Sequence, residues 1–289
     1  MRQTWIPVLI FSIVVIFAGV QPSFAISGVI YGSYSCQRIG GAWDASNANT
    51  CIVTSMVVFR GETVTILPGI TLVNDGTITN GGVLFNSGGS IYNKGAITNA
   101  GTISNNGKMF DNYGTISNRG TIFNSVSFIN GGKIFNSGTF SNDGNITQNH
   151  TGVIINNQGG TITSTSNGVI SNLGTISNLG TISNHARLFS DGYILNTAGI
   201  YNWGTVSNSF NFTNSGTITN SGTFVNNHSG IVTNRNVIYN AGTLSNLGYI
   251  LNHGSISNHG SISNHGTIKI CKGTISVNPV VVNSPYVSC

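Results

Sequence analysis

A six-residue repeat of the form Gly-Thr-Ile-x-Asn-x constrains the fold of this chain more than any other feature. From residue 76 to residue 270 the sequence divides into 31 consecutive units, most of them six residues long. The third position is apolar in all 31 units, and the fifth is Asn in 26 of them. A fixed short period of this kind predicts a chain that coils on itself, so that every turn repeats the last. Longer units open at Gly107, Gly144, Gly152, Gly160 and Gly222.

The residue types within the unit favour strands. Thr, Ile, Val and Phe are strand formers, and the alternation in Thr-Ile-Ser directs Ile inward and the two hydroxyls outward. Asn and Gly are expected at the corners, because both tolerate left-handed backbone angles. Asn stacked above Asn on successive coils can form an amide ladder. The sequence therefore predicts an all-β fold, a parallel β-solenoid of hexapeptide units, and leaves its handedness open.

The fourth position of the unit bears on how many units make one coil. It is large and apolar in 13 units, nine of them even-numbered, whereas counting by threes spreads them 5, 4 and 4. This distribution favours two or four units per coil over the three of a triangular solenoid, and it predicts two chemically different faces. The bulky fourth-position residues are Phe85, Tyr92, Phe110, Phe123, Ile129, Phe135, Ile155, Phe189, Leu195, Tyr201, Val225, Tyr239 and Leu251.

Aromatic residues at the fourth position, if exposed, would supply adhesive contacts. The alternative is that they fill corners or lie under loops. The candidate contact residues are Phe85, Phe110, Phe123, Phe135, Phe189, Tyr201 and Tyr239.

The N-terminal segment 1–25 has the layout of a secretory signal peptide. Arg2 precedes an apolar stretch from residue 5 to residue 20, and small residues, Ser23 and Ala25, precede the expected cleavage site. A membrane-spanning helix is the alternative, but the apolar run is short for one. We expect a secreted product, extracellular or on the cell surface, with an N-terminal cap at 26–75, the solenoid at 76–270 and a C-terminal cap at 271–289.

Four cysteines lie in two pairs near the ends of the expected mature chain, Cys36 with Cys51 and Cys271 with Cys289. Four cysteines allow three connectivities, of which local pairing is the simplest in an oxidising compartment. Metal binding is the rival interpretation, although no Cys-x-x-Cys is present. Local disulfides would strengthen caps at the ends of the stack, where unpaired strand edges would otherwise be exposed.

Charge and carboxylate placement argue against nucleic-acid binding and catalysis. The chain has 11 Lys plus Arg and 6 Asp plus Glu, and its basic residues are scattered rather than clustered. Polysaccharide-cleaving β-helices need clustered carboxylates, and we predict no catalytic pair and no cofactor. The six acidic residues are Asp44, Glu62, Asp75, Asp111, Asp143 and Asp191.

Two further groups of polar residues are candidate sites. His253, His259 and His265 occupy the sixth position of consecutive units, and on a two-unit coil His253 and His265 would be vertical neighbours able to share a metal. The alternative is an exposed corner position that accepts many residue types. Sequons for N-glycosylation occur at Asn145, Asn149, Asn211 and Asn227.

The hexads at 168–184 and 254–264 resemble the solenoid repeats of bacterial autotransporter and filamentous adhesin passengers and of archaeal secreted surface proteins. The entry segment at 64–72 and the loop between Cys36 and Cys51 look most like the archaeal group. The resemblance implies an extracellular structural or adhesive protein whose hydroxyl- and amide-rich face contacts glycans, cell-surface components or copies of itself. It specifies architecture far better than activity.

A second hypothesis is binding to ice or another crystal surface through a flat array of Thr. A Thr-x-Thr pattern occurs at 77–79, 161–163 and 217–219. A polysaccharide-active enzyme is the third and least favoured hypothesis.

Overall fold

A computed structural model describes residues 28–47, 49–277 and 286–289, and it confirms a parallel β-solenoid. The described residues form 37 strands and a single short helix, α1 (Ser33–Arg38). In this part of the chain no helix is long and apolar enough to cross a membrane. The predicted signal peptide at 1–25 lies outside the described residues.

The strands form three faces, which the chain visits in the order A, B, C. Face A consists of β1 (Gly28–Ile30), β4 (Thr63–Ile66), β6 (Val83–Asn86), β9 (Thr102–Asn105), β12 (Thr121–Asn124), β15 (Thr139–Asn142), β18 (Thr161–Ser164), β21 (Thr181–Asn184), β24 (Gly199–Asn202), β27 (Thr217–Asn220), β30 (Val237–Asn240), β33 (Ser255–Asn258) and β36 (Thr274–Val277). Two long strands, β3 (Thr50–Val58) and β5 (Thr71–Asn80), run round a corner and contribute to both face B and face C.

Face B continues with β7 (Ser90–Asn93), β10 (Met109–Asn112), β13 (Ser127–Asn130), β16 (Asn145–Gln148), β19 (Val169–Asn172), β22 (Arg187–Ser190), β25 (Thr205–Asn208), β28 (Thr223–Asn226), β31 (Thr243–Asn246) and β34 (Ser261–Asn264). Face C continues with β8 (Ala96–Asn99), β11 (Thr115–Asn118), β14 (Lys133–Asn136), β17 (Val153–Asn156), β20 (Thr175–Asn178), β23 (Tyr193–Asn196), β26 (Asn211–Asn214), β29 (Ile231–Asn234), β32 (Tyr249–Asn252), β35 (Thr267–Ile270) and β37 (Val287–Ser288). The remaining strand, β2 (Ala42–Asp44), pairs antiparallel with the start of β3.

Each regular strand pairs in parallel with the strand three further along, so one coil contains three units. Ile176 of β20 lies beside Ile194 of β23, and the two strands between them, β21 and β22, belong to the other two faces. The expectation of two or four units per coil is therefore wrong. Face A has one strand per coil and, β1 aside, twelve of its thirteen strands belong to the coils. With strands about 4.8 Å apart, these coils form a rod about 55 Å long.

The expected pair of unlike faces is also wrong, because the bulky fourth-position residues are shared evenly among three faces. Four lie on face A (Phe85, Phe123, Tyr201, Tyr239), four on face B (Tyr92, Ile129, Phe189, Val225) and four on face C (Phe135, Ile155, Leu195, Leu251). Nine of the 13 bulky residues belong to even-numbered units, but this does not place them on one face, because the even-numbered units are distributed over all three faces.

Phe110, the thirteenth of these residues, belongs to the core. The seven-residue unit that opens at Gly107 places its extra residue in the corner before the strand. Phe110 therefore pairs with Ile91 and faces inward, where its ring stacks on Phe128 with centroids 4.7 Å apart. Its side chain is 0% exposed, so it is not the contact residue that the sequence predicted. Asp111, assigned to the fifth position from sequence, takes the outward fourth position instead.

The interior consists of the third- and fifth-position side chains. In β20, Ile176 and Asn178 are both buried, while Thr175 and Ser177 face outward. Burial of one such aliphatic side chain contributes roughly 1.5 to 3 kcal/mol. Asn178 donates from Nδ2 to the Oδ1 of Asn196 at 2.8 Å, and this confirms the amide ladder. The Asn residues are inward strand residues, however, and not the corner residues that we expected.

The glycine at the first position of the unit is also explained differently from the expectation. Among the described residues, the glycines with positive φ are Gly40, Gly61, Gly69, Gly88 and Gly159, and none of these opens a unit. A Cβ on Gly192 would lie 2.2 Å from the carbonyl oxygen of Gly174 in the preceding coil. Glycine is therefore favoured where successive coils approach this closely at the corner. Five units open instead on a residue with a side chain, namely Val126, Ala186, Ala198, Phe210 and Asn236.

Both predicted disulfides are present and lie at the two ends of the stack. Cys36 of α1 is bonded to Cys51 of β3, and Cys271 is bonded to Cys289. The coils extend on both sides of the predicted range 76–270, since β3 and β4 precede it and β36 follows it. At the start of the rod, β1 pairs with β4 and forms the edge strand of face A.

Candidate functional surface

Face A presents a nearly continuous column of threonine along the rod. At the second position its twelve coils contain eight Thr, one Ser, two Val and one Gly, and none of these side chains is charged. Because every strand is in register with the next, these hydroxyls lie one above another. In order, the column reads Thr63, Val83, Thr102, Thr121, Thr139, Thr161, Thr181, Gly199, Thr217, Val237, Ser255 and Thr274.

The second outward column of face A, at the fourth position, combines hydroxyls with aromatic rings. Eight of its twelve residues are Ser or Thr, and the others are Phe85, Phe123, Tyr201 and Tyr239. Phe85 and Phe123 are separated by one coil that contributes Ser104, and Tyr201 and Tyr239 by one that contributes Thr219. The two residues of each pair are therefore two coils apart, which places their Cα atoms about 10 Å from each other. The second pair is the more exposed, with Tyr201 at 39% and Tyr239 at 48%.

Tyr201 belongs to an exposed aromatic cluster at the corner between faces A and B. Its ring centroid lies 6.0 Å from that of Trp203 with an interplanar angle of 20°, and Trp203 stacks on His185 of the preceding coil at 4.6 Å. Trp203 is 51% exposed. Large exposed aromatic surface of this kind is typical of contact sites.

The outward positions of faces B and C differ from face A because they contain charges. In the described coils face B has Asp111 and Arg187, and face C has Lys133 and Lys269. Face C also has an exposed apolar group in which Tyr193 contacts Phe210 edge to face, with centroids 5.0 Å apart. Of the contact residues predicted from sequence, Phe135 is half-buried on face C and Phe189 is exposed on face B. The predicted set is thus dispersed over three faces, and only Phe85, Phe123, Tyr201 and Tyr239 share one.

The histidines at the sixth position are not vertical neighbours. His253, His259 and His265 follow strands of faces C, A and B respectively, so they occupy three different corners. The hypothesis of a metal shared by His253 and His265 is therefore wrong, because it required two units per coil. No group of three metal-ligating side chains occurs in the described ranges.

The carboxylates are dispersed as well. Asp75 forms an ion pair with Lys94 at 3.4 Å, and Asp111 lies on face B between Tyr92 and Ile129. Asp111 is 4% exposed and burial raises the pKa of its carboxyl, while a hydrogen bond with Tyr113 opposes this effect. The Oδ1 of Asp111 has no hydrogen-bond partner. Asp44, Glu62, Asp143 and Asp191 lie at other corners or in the N-terminal cap.

The four sequon asparagines all belong to faces B and C or to the corner between them. Asn145 is exposed on face B, and Asn211 is half-buried on face C. Asn149 and Asn227 each begin a corner between faces B and C that is two residues longer than usual, and the two corners are four coils apart. The Nδ2 of Asn227 donates to the Oγ atoms of Ser207 and Ser209, each at 2.9 Å. Face A contains none of the four.

One coil, formed by residues 144–167, is enlarged by two residues at all three corners. Gln148 and Ser164 replace two of its inward Asn, and the Oε1 of Gln148 has no hydrogen-bond partner. The amide ladders of faces A and B are interrupted there, whereas that of face C continues through Asn156. A small apolar cavity in the core is lined by Ile146, Ile154, Ile162 and neighbouring aliphatic residues.

Compared with known protein families and with curated proteins, the sequence gives no match.

Proposed function

We propose that this protein is an extracellular surface or matrix component that adheres to glycans or other cell-surface components through face A of its solenoid. The single observation that supports this proposal best is the fourth-position column of face A, where exposed tyrosines alternate with small hydroxyls. Aromatic rings bind through apolar area and directional contacts with their faces, while hydroxyls both donate and accept hydrogen bonds.

The architecture suits a role in presentation rather than in chemistry. Three amide ladders and a continuous aliphatic core make neighbouring coils mutually dependent, as expected of a stiff repeat protein. The acidic side chains of the described residues are dispersed over faces and corners, so they offer no pair for acid–base catalysis. We therefore favour a binding role over an enzymatic one, and the role needs no cofactor.

A glycan array probed with the purified chain tests the proposal. We expect binding that is lost in the Tyr201→Ser/Tyr239→Ser variant. The matched control is Tyr193→Ser/Tyr249→Ser, which removes the same chemical groups from face C. Loss of binding in the control alone would place the contact on face C and contradict the assignment to face A. A wild-type surface that binds nothing on glycan arrays or on cells would contradict the function.

Binding to ice or another crystal surface is the second candidate, and one observation favours it. Between Phe123 and Tyr201, face A has three consecutive coils whose outward residues are all small and hydroxylated. These residues are Thr139, Ser141, Thr161, Thr163, Thr181 and Ser183. Thermal hysteresis that disappears in the Thr161→Lys variant would support this candidate, and absence of hysteresis in the wild-type protein would remove it.

A further inference from the structure

The aromatic pair on face A points to a particular class of glycan. Tyr201, Thr219 and Tyr239 lie in register on β24, β27 and β30. The Cα atoms of the two tyrosines are therefore two strand spacings apart along the rod axis, about 10 Å. That length is close to one disaccharide of an extended β-1,4-linked chain, in which every second sugar turns the same side to a flat surface.

The orientation of the Tyr201 ring suits stacking against a sugar. The Cε2 of Tyr201 lies 3.0 Å from where a Cβ on Gly199 would be, so the outer part of the ring leans toward this glycine of its own strand. Gly199 is the one residue without a side chain in the second-position column. The Tyr201 side chain is 39% exposed, and the exposed part of its ring can contact the apolar C–H groups of a pyranose.

The surroundings of the pair favour an uncharged polymer. The outward residues between and beside the rings are Thr217, Thr219 and Val237, and no charged side chain occupies an outward position of the described face A strands. An anionic glycan or a nucleic acid would be bound by a basic stripe. Hydroxyls at one strand spacing offer hydrogen bonds to the equatorial hydroxyls of a neutral sugar.

We propose that face A binds a neutral, extended β-1,4-linked polysaccharide that lies along the rod axis, with Tyr201 and Tyr239 stacking on alternate sugars. This inference rests on the proposed glycan adhesion and specifies the ligand of the same surface. Trp203 widens the platform at Tyr201, and Phe85 with Phe123 repeats the two-coil spacing nearer the start of the rod. One chain could thus contact a polysaccharide at two places along its length.

Calorimetric titration of the purified chain with three hexasaccharides tests this inference. The probes are the hexaoses of β-1,4-glucose and β-1,4-N-acetylglucosamine, and the linkage control is the hexaose of α-1,4-glucose. We expect binding of at least one β-linked probe and no binding of the α-linked one, whose helical shape cannot meet both rings. Tyr201→Ser or Tyr239→Ser should each weaken binding roughly tenfold, and Tyr193→Ser/Tyr249→Ser on face C should leave it unchanged.

A variant that moves one tyrosine to the neighbouring coil tests whether binding depends on the spacing of the two tyrosines or only on their number. Thr219→Tyr/Tyr239→Thr keeps two tyrosines on face A but brings them to adjacent coils. We expect it to bind as weakly as Tyr239→Ser, with an unchanged circular dichroism spectrum and melting temperature. Wild-type affinity in this variant would overturn the two-coil argument.

The remaining outcomes distinguish this inference from the function on which it rests. Binding of other glycans on the array, dependent on Tyr201, without binding of either β-linked hexaose would overturn the inference and leave adhesion standing. Self-association of the wild-type chain that is lost in the Tyr201→Ser/Tyr239→Ser variant, again without hexaose binding, would show that face A joins two copies. Binding to no glycan and no cell would overturn both proposals.

Discussion

The side-chain amide of Asn178 donates a hydrogen bond to the Oδ1 of Asn196, which lies on the neighbouring strand of the same face, one coil higher. The same contact recurs between Asn196 and Asn214 at 2.8 Å. Asn196 therefore both donates and accepts an amide hydrogen bond inside the core, whereas the Oδ1 atoms of Asn172, Asn184 and Asn208, which follow Gln148, Ser164 and Ser190 in their ladders, have no partner. The ladder explains how a solenoid can bury one polar side chain in every unit.

Removing one member of this ladder should be costly. In Asn196→Ala, the Oδ1 of Asn214 loses its donor inside the core, and the amide of Asn178 loses one acceptor but keeps the carbonyl oxygens of Gly180 and Gly199. A buried unsatisfied group costs about 1 to 3 kcal/mol, so we expect a loss within that range. Denaturant unfolding measures it, and the outward Ser177→Ala, expected to change stability by under about 0.5 kcal/mol, is the control. Equal stability of the two variants would show that the ladder is dispensable.

Because successive coils approach closely at their corners, replacing two neighbouring glycines by Ala should have different effects on stability. A Cβ on Gly132 would lie 2.1 Å from the carbonyl oxygen of Gly114, whereas one on Gly131 would have its nearest neighbour at 3.4 Å. Gly132→Ala should therefore destabilise the fold by about 2 kcal/mol or more. Gly131→Ala should be neutral or stabilise it by about 0.5 kcal/mol, because it restricts the unfolded chain. Comparable melting temperatures for both variants would refute the steric explanation.

The N-terminal disulfide should stabilise the entry to the rod. Cys36 and Cys51 are buried and have a sequence separation of 15, and closing a loop of that length corresponds to about 3 kcal/mol in the chain-entropy model. The Cys36→Ala/Cys51→Ala variant should unfold at lower denaturant than the wild-type protein under oxidising conditions. If instead both proteins unfold at the same denaturant concentration, the cap does not limit the stability of the stack.

Asp111 should make stability depend on pH in a predictable direction. Burial raises the pKa of its carboxyl above the ordinary value of 3.8. The folded state therefore binds the proton more tightly than the unfolded one, and stability falls as pH rises from 3.8 through the raised value. Asp111→Asn should stabilise the protein at neutral pH, and the advantage should vanish below pH 3.8. Melting temperatures of both proteins across this pH window test the prediction, and a gain that is the same at every pH would contradict it.

The alternation of apolar and polar residues within each strand made the core residues predictable. Contacts between successive coils could not be predicted in the same way, because they depend on the number of units per coil. The inward Ile176 follows from strand alternation and hydrophobicity alone. The role of Gly192 depends on the carbonyl of Gly174 in the preceding coil, which becomes a neighbour only once the number of units per coil is known. Phe110 was misplaced because a one-residue insertion can precede or follow a strand; the spacing from Phe110 to Asn112 matches that from Ile91 to Asn93 and could have resolved it.

Predicting the composition of the candidate surface likewise required the number of units per coil. Tyr201 and Tyr239 were identified from sequence as possible contacts, and because they lie six units apart, coils of two or of three units would both place them on one face. Their separation of two coils, with Thr219 between them, requires three units per coil. Two units per coil would instead have placed them three coils apart, with residues between them that lie on faces B and C. Trp203 was missed because it occupies the variable sixth position, and its stacking on His185 depends on the same coil length.

Cysteine cross-linking tests the three-unit coil most directly, and with it the composition of face A. Thr163 and Ser183 lie side by side on adjacent strands of this face, within reach of a disulfide. Ser171 precedes Ser183 by two repeat units, the separation of neighbours in a two-unit coil, but it lies on face B beside Phe189. We predict that Thr163→Cys/Ser183→Cys forms a disulfide on oxidation and that Ser171→Cys/Ser183→Cys does not. The reverse result would contradict the triangular coil and every surface assigned from it.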